Sequence, residues 1–186
     1  DKHKFNFNGT INDIIKEIGY PLDIMFGNLG VPKKYVWDFV DSYKNRYKDI
    51  SVAQTTLLEN AYEAVNIAST FAKLGVVTTK TRIYSTPILD NFDITKHFEI
   101  IIGREDVKNP KPHQEPILKA LNSLNYDENR HLAFMIGDTK LDLLSASSAN
   151  INSIGLLCGY SNHEELTKYT NIVKKDSLEA VKYLQS

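Results

Sequence analysis

Residues 131–150, "HLAFMIGDTKLDLLSASSAN", decide the fold of this chain. The run 131–138 is almost continuously apolar until it ends in Gly137-Asp138, which predicts a strand buried on both faces of a parallel sheet. A helical pattern over 139–149 follows at once. A strand that leads directly into a helix is the repeating unit of α/β proteins.

The same alternation continues along the rest of the chain. Strands are predicted at 3–8, 75–80, 98–103, 153–159 and 171–175. Helical patterns lie between them at 56–74, where Gly75 is predicted as the stop, and at 113–124. We therefore predict an α/β fold with a doubly wound, Rossmann-like parallel sheet, with strand 3–8 in its centre. Ligands of such sheets bind at the carboxyl ends of the strands.

One segment, 12–50, holds helical patterns and no predicted strand. Its aromatic residues Tyr35, Phe39, Tyr43 and Tyr47 recur every four positions, which places them on one helix face. This stripe is either ordinary packing or part of a lid that faces a site. The predicted organisation is a core formed by 1–11 and 51–186, with 12–50 as a short helical cap inserted after the first strand.

Composition excludes several classes of partner. The 186 residues carry a net charge of −1, which argues against nucleic acid and anionic membranes. The single cysteine, Cys158, indicates a reducing compartment. No apolar run reaches the roughly 20 residues of a membrane span, and no signal peptide is visible, so a cytoplasmic protein is expected. The sequence does not set the oligomeric state.

Charged side chains follow the predicted strands. Asp138 ends strand 131–138, and Asp142 lies four residues later. Either they are helix-start residues, with Asp138 as the N-cap and Asp142 in the first turn, or they ligate a hard divalent cation. Lys111, between two prolines in "NPKPHQEP", is either solvated or a positioned phosphate ligand.

The order and spacing of four stretches resemble the haloacid dehalogenase superfamily, in its phosphoglycolate-phosphatase-like branch. They are "FNFNGTIND" (5–13), "GVVTTK" (75–80), "REDVKNPKPHQEPILKAL" (104–121) and "FMIGDTKLDLLSASSANINSIGLLCGY" (134–160). The third and fourth are long enough to be specific. The resemblance covers nearly the whole chain, but the cap region looks like the later half of the family's cap, so phosphoglycolate specificity is not carried over.

The resemblance implies a role for each matching position. Position 6 is the family's aspartate nucleophile, and position 8 its general acid/base. Thr78 would hydrogen-bond a phosphate oxygen, and Lys111 would neutralise the phosphate. Gly9 and Thr79 fall beside Lys111 in the substrate-binding set. Mg²⁺ would be held by Asp138, with support from Asp142, and by positions 6 and 8.

Here positions 6 and 8 carry Asn6 and Asn8. An amide is a poor nucleophile and does not exchange a proton near neutral pH. The pair reflects drift after loss of function, an engineered change or a misassigned position. Two function classes follow. One is a Mg²⁺-dependent phosphomonoesterase with weak or absent activity. The other is a silent relative that binds a small phosphorylated metabolite or a protein. Asn6, Thr78, Lys111 and Asp138 are expected to converge at the strand ends.

Overall fold

The computed structural model describes residues 3–186, and the chain divides into two compact units, Asp1–Gln54 and Thr55–Ser186. In the first unit the helices are α1 (Ile11–Ile15), α2 (Leu22–Asn28) and α3 (Val36–Gln54), with a 3₁₀ turn at Lys33–Tyr35. The predicted helical character of 12–50 is therefore confirmed. The assignment of residues 1–11 to the core with 51–186 stays a prediction.

The first half of the aromatic stripe, Tyr35 and Phe39, packs into the core of the first unit. Phe39 contacts Phe5 and Phe26 edge-on, with ring centroids 5.5 and 5.7 Å apart, and Tyr43 stacks on Tyr47. Tyr35 and Phe39 of the stripe belong to the core of this unit, together with Phe5, Phe26 and the buried valines Val31, Val36 and Val40. Tyr43 is 43% exposed. Helix spacing of four thus produces burial in the first half of the stripe, as aromatic faces usually do.

The predicted strand at 3–8 is wrong, because residues 3–8 form no strand in the structure. The alternation on which the prediction rested is real, since Phe5 and Phe7 are half-buried and Asn6 and Asn8 are exposed. However, Lys4 has a φ of 50°, which a strand does not tolerate. Phe5 also packs against the cap core. Alternation alone does not supply the partner strand that a ladder needs.

In the second unit, parallel strands form two sheets within the described residues. Strand β1 (Leu74–Val77) pairs with β2 (Phe98–Ile102), and β3 (Phe134–Gly137) pairs with β4 (Asn152–Leu156). Strand β5 (Val173–Lys174) pairs with the far edge of β4. The strands predicted from 75 onward are confirmed, each over a shorter range. Together with the helices between them, they confirm the α/β class.

The helices of the second unit follow the strands. They are α4 (Ala61–Ala68), α5 (Arg82–Asn91), α6 (Glu115–Ser123), α7 (Lys140–Ser148), α8 (His163–Leu166) and α9 (Ser177–Gln185). Further 3₁₀ turns lie at Thr95–His97 and Arg104–Asp106. Helix α4 is much shorter than the predicted 56–74. Gly75, predicted as the residue that ends this helix, lies in strand β1 instead. No helix within residues 3–186 has the length and apolar character needed to cross a membrane.

The core of the second unit lies on both faces of the sheets. Ala64 and Ala68 of α4 pack on Leu178 and Val181 of α9. On α7, Leu143 is fully buried. Strands β1 and β3 both line a largely apolar cavity of about 760 Å³ within this unit. The cavity thus lies between strands of the two sheets.

We expect Leu143→Ala to lower the free energy of unfolding by about 2–5 kcal/mol, because the side chain is fully enclosed and its removal leaves a cavity. Leu132→Ala is the matched control, since Leu132 is 82% exposed, and it should change stability by no more than about 0.5 kcal/mol. Urea unfolding followed by circular dichroism measures both. Equal effects of the two variants would contradict the placement of Leu143.

Candidate functional site

The centre of the candidate site is the Lys111 ammonium at the carboxyl end of β1. Its Nζ donates to the Val77 carbonyl oxygen at 3.0 Å and to Asp142 Oδ1 at 2.5 Å. The side chains of Lys111 and Asp142 are only 10% and 7% exposed. The alternative of a solvated loop lysine is therefore wrong. A buried ammonium requires partners of this kind, because an unpaired buried charge is strongly destabilising.

Asp142 lies in the first turn of helix α7 and bonds to the N-cap residue as well as to Lys111. Its Oδ2 accepts from the backbone N–H of Thr139 at 3.1 Å and from the Thr139 hydroxyl at 2.7 Å. Thr139, and not Asp138, is the N-cap residue, so that part of the helix-start interpretation is corrected. The reciprocal pairing of a Thr cap with an acid three residues later is a capping box. Both carboxylate oxygens of Asp142 are therefore committed.

Asp138 lies against the loop that follows β4. Its Oδ2 accepts from the backbone N–H of Tyr160 at 3.0 Å. Gly159 lies so close to the Asp138 carboxylate that a Cβ there would overlap it. Burial raises the pKa of the neighbouring Cys158 thiol, and the charge of Asp138 raises it further. The Asp138 carboxylate is thus held by the Tyr160 backbone N–H at the loop after β4.

Thr78 and Thr79 follow β1 directly. The Thr78 amide donates to the Ile102 carbonyl oxygen at 2.9 Å, which continues the pairing with β2 by one residue. The Thr78 hydroxyl oxygen accepts from the Lys80 backbone N–H at 3.1 Å, so its own proton points elsewhere. Thr79 is half-buried beside it. The next residue after Val77, Thr78, therefore lies beside the carbonyl that holds Lys111.

Two residues that the sequence analysis did not single out hold the Lys111 loop. Glu115 accepts from the backbone N–H groups of Lys108 and Asn109 at 2.7 and 3.0 Å. The fully buried Ser145 donates its hydroxyl proton to the His113 carbonyl oxygen at 2.8 Å. An acid at a helix start shortly after a loop was a readable signal. A serine inside a small-residue helix was not.

Asn6, Asn8 and Gly9 belong to the first unit and are exposed there. The Asn6 amide nitrogen donates to Asn8 Oδ1 at 3.4 Å, as expected for side chains two residues apart on one face. The Phe7 ring lies against Gly9, where a Cβ would overlap it. The structure brings Lys111, Asp142 and the end of β1 together. Convergence of the amides with them stays a prediction.

The predicted role of Asp138 and Asp142 in holding Mg²⁺ stays a prediction. No group of three or more His, Cys, Asp or Glu side chains that could hold a metal occurs in the part of the chain that the structure describes. Asp142 uses both oxygens for Lys111 and Thr139, and Asp138 accepts from Tyr160. Mg²⁺ requires near-octahedral oxygen ligation and gives up its waters reluctantly. Asp142 therefore already has two structural partners, the Lys111 ammonium and the Thr139 N-cap.

Parallel strands with charged side chains at their carboxyl ends place the chain in the doubly wound α/β class. The sequence profile of the haloacid dehalogenase-like hydrolases matches residues 2–156. The chain belongs to this family, which confirms the resemblance seen in its motifs.

Curated relatives are similar to this chain over part of their length. The phosphoglycolate phosphatase of Colwellia psychrerythraea strain 34H is 31% identical over 133 residues, which are 71% of this chain and 58% of the relative. That of Salmonella paratyphi A is 38% identical over 93 residues, 50% of this chain and 36% of the relative. The chain thus spans about half the length, or less, of the curated relatives it matches.

Solved structures show the same fold. A haloacid dehalogenase-like family hydrolase from Streptococcus pneumoniae aligns with a TM-score of 0.82 at 24% identity, covering 96% of this chain and 83% of that one. A predicted phosphatase from Clostridium acetobutylicum aligns with a TM-score of 0.84 at 23% identity, covering 99% and 85%. At these identities the likeness supports the fold alone.

Breaking the buried ion pair should destabilise the fold. We expect Lys111→Met or Asp142→Asn to cost about 3–5 kcal/mol, because each leaves the partner uncompensated. The double variant should cost less than the sum of the two, because it leaves neither charge alone. Lys168→Met is the control, since its pair with Glu164 is exposed and should contribute less than about 1 kcal/mol. Strict additivity, measured by denaturant unfolding, would contradict the pairing.

Because of the Glu115 contacts, the stability of the chain should depend on pH in the acid range. Hydrogen bonds from the backbone N–H groups of Lys108 and Asn109 lower the pKa of Glu115 from its ordinary value of 4.5. A lowered folded-state pKa means that the stabilisation is complete above the unfolded value and is lost as pH falls through the folded one. The stability difference between the chain and Glu115→Gln should therefore shrink below about pH 4.5.

The check is urea unfolding of both proteins across the acid range, with Glu164→Gln as the exposed control. A difference between the chain and Glu115→Gln that stays constant with pH would show that the carboxylate charge is not what holds the loop.

Proposed function

We propose that this chain binds a small phosphorylated metabolite through the Lys111 ammonium and the Thr78 hydroxyl, and that it hydrolyses the phosphate ester slowly or not at all. Magnesium dependence belongs to the same proposal as a family expectation, and a cytoplasmic location belongs to it as an expectation from the single cysteine, Cys158. The observation that carries it is Lys111, a nearly buried cation at the carboxyl end of a parallel strand.

Lys111 has the donor capacity to bind a phosphate. An ammonium group has three N–H donors, and the Val77 carbonyl and Asp142 take two of them. The third can donate to a phosphate oxygen. The Thr78 hydroxyl oxygen already accepts from Lys80, so its proton is available to a second acceptor. The two groups supply directed donors, and charge-assisted hydrogen bonds to phosphate are the stronger kind.

Turnover is limited by the residues at positions 6 and 8. In the expected reaction a carboxylate oxygen at position 6 attacks phosphorus, forms an acyl phosphate, and expels an alkoxide that receives its proton from position 8. Water then attacks phosphorus and regenerates the carboxylate. Asn6 offers a neutral amide in place of the nucleophile, and Asn8 has no proton to give near neutral pH. The first bond to phosphorus therefore does not form.

The same substitutions favour binding. A carboxylate at position 6 would repel a phosphate dianion, and the Coulomb cost is appreciable at close range even in water. A neutral amide removes that repulsion and keeps hydrogen-bonding groups. A ligand held without turnover is thus the expected behaviour of the chain as it stands.

Restoring both carboxylates should restore turnover. We expect the chain to show negligible hydrolysis of p-nitrophenyl phosphate, with or without Mg²⁺, and Asn6→Asp/Asn8→Asp to gain at least ~10²-fold, the lower end of one acid/base group. Asn8→Asp alone should stay inactive, because the nucleophile is still an amide. Lys111→Met in the double variant should remove the gain.

Binding is measured separately by calorimetric titration of inorganic phosphate into the chain, Lys111→Met and the exposed control Lys168→Met. The proposed site is supported if Lys111→Met loses phosphate binding while Lys168→Met keeps it. Robust hydrolysis by the unaltered chain, with mass spectrometry showing intact Asn8, would overturn the proposal for turnover. An inactive double variant that still binds phosphate would assign the loss to the shortened cap.

A further inference from the structure

Helix α7 contacts the Lys111 loop at two places on one face. Asp142 pairs with the Lys111 ammonium, and Ser145 bonds to the carbonyl of His113, two residues beyond Lys111. Residues three apart lie on the same side of a helix. The helix therefore contacts both the ammonium group of Lys111 and the backbone two residues after it.

The Ser145 hydroxyl is used in an unusual way for a helical serine. A buried serine in a helix often returns its proton to a carbonyl of the preceding turn, as Ser85 does with Thr81 in α5 at 3.0 Å. Ser145 instead spans 32 residues of sequence to reach His113, and it is fully buried. The hydroxyl is thus committed to the loop and not to its own helix.

A lysine needs such support to act as a directed donor. Its four-carbon stem has many rotamers, and ordering it costs conformational entropy. If the backbone at 111–113 shifts, the ammonium no longer lies between the Val77 carbonyl and Asp142. The remaining N–H would then point away from the position that a phosphate takes.

We propose that Ser145 is a positioning residue that fixes the backbone of 111–113 and thereby holds the Lys111 ammonium at the end of β1. The placement itself depends only on the contacts above. Its consequence for phosphate affinity rests on the proposed function. Glu115 holds the part of the loop that precedes the lysine, through Lys108 and Asn109, and Ser145 holds the part that follows it, through His113.

The test is the rate at which the Lys111 amine is acylated by an activated ester, read peptide by peptide with mass spectrometry on the full chain. Ser145→Ala removes the hydroxyl, and Ser145→Cys removes the strong donor while filling the same space. Ser85→Ala is the matched control, because it deletes a buried hydroxyl that has no link to the loop. Unfolding midpoints are recorded for all variants.

Both Ser145 variants should acylate Lys111 about fivefold faster, the effect of one net hydrogen bond, while exposed lysines react as before. Ser85→Ala should leave the Lys111 rate unchanged. An unchanged Lys111 rate in Ser145→Cys, or a uniform rise at every lysine, would overturn the proposal and leave Ser145 as a packing residue.

Phosphate titration separates this inference from the proposed function. If the unaltered chain binds phosphate, both Ser145 variants should bind it about fivefold more weakly, and unchanged affinity would overturn the link to binding. If no variant binds phosphate, the proposed function fails, and the Lys111 acylation rates still decide whether Ser145 positions the lysine.

Discussion

The hydrogen bonds of the Lys111 ammonium group hold two parts of the second unit together. Lys111 Nζ joins the last carbonyl of β1 to the acid in the first turn of α7, which directly follows β3. Strands β1 and β3 belong to different sheets of the described chain, so the lysine connects their carboxyl ends. A charge removed from water in this way is tolerated only with good partners. The loop that carries it must therefore be held, which explains the contacts of Glu115 and Ser145.

The chemistry that the family resemblance implies is divided between the two units. The cation and the hydroxyl that suit a phosphate lie in Thr55–Ser186, and the positions of the nucleophile and the acid/base lie in Asp1–Gln54. Lys111 bonds to the Val77 carbonyl and to Asp142, and Asp142 bonds to Thr139, all within the second unit. Under the proposed function, phosphate binding and phosphate hydrolysis are therefore expected to be separable by substitution.

The fold class was readable from sequence because apolar runs and helical periods depend on local pattern, and the strands from β1 to β5 lie where those runs predict them. Strand 3–8 was not, because alternation at Phe5 and Phe7 says which side is buried and nothing about a pairing partner. The sequence singled out Lys111 as a candidate phosphate ligand, but it did not show that the side chain is buried. Its pairing with Asp142 crosses 31 residues, and no local rule predicts such a contact. Likewise the sequence predicted Asp138 as the N-cap of α7, and the structure has Thr139 in that position. The cap residue depends on where the chain turns into the helix, and helix boundaries are uncertain by one or two residues in sequence.

The pairing of Lys111 also determines how a phosphate would be recognised. Because Asp142 balances the lysine, the pair carries no net charge, and a dianion gains little from long-range attraction. The remaining attraction comes from two hydrogen bonds, one donated by the Lys111 ammonium and one by the Thr78 hydroxyl. The strength of a hydrogen bond falls steeply as its angle departs from linear. Binding at such a site depends on how firmly the donors are placed more than on how much charge is present.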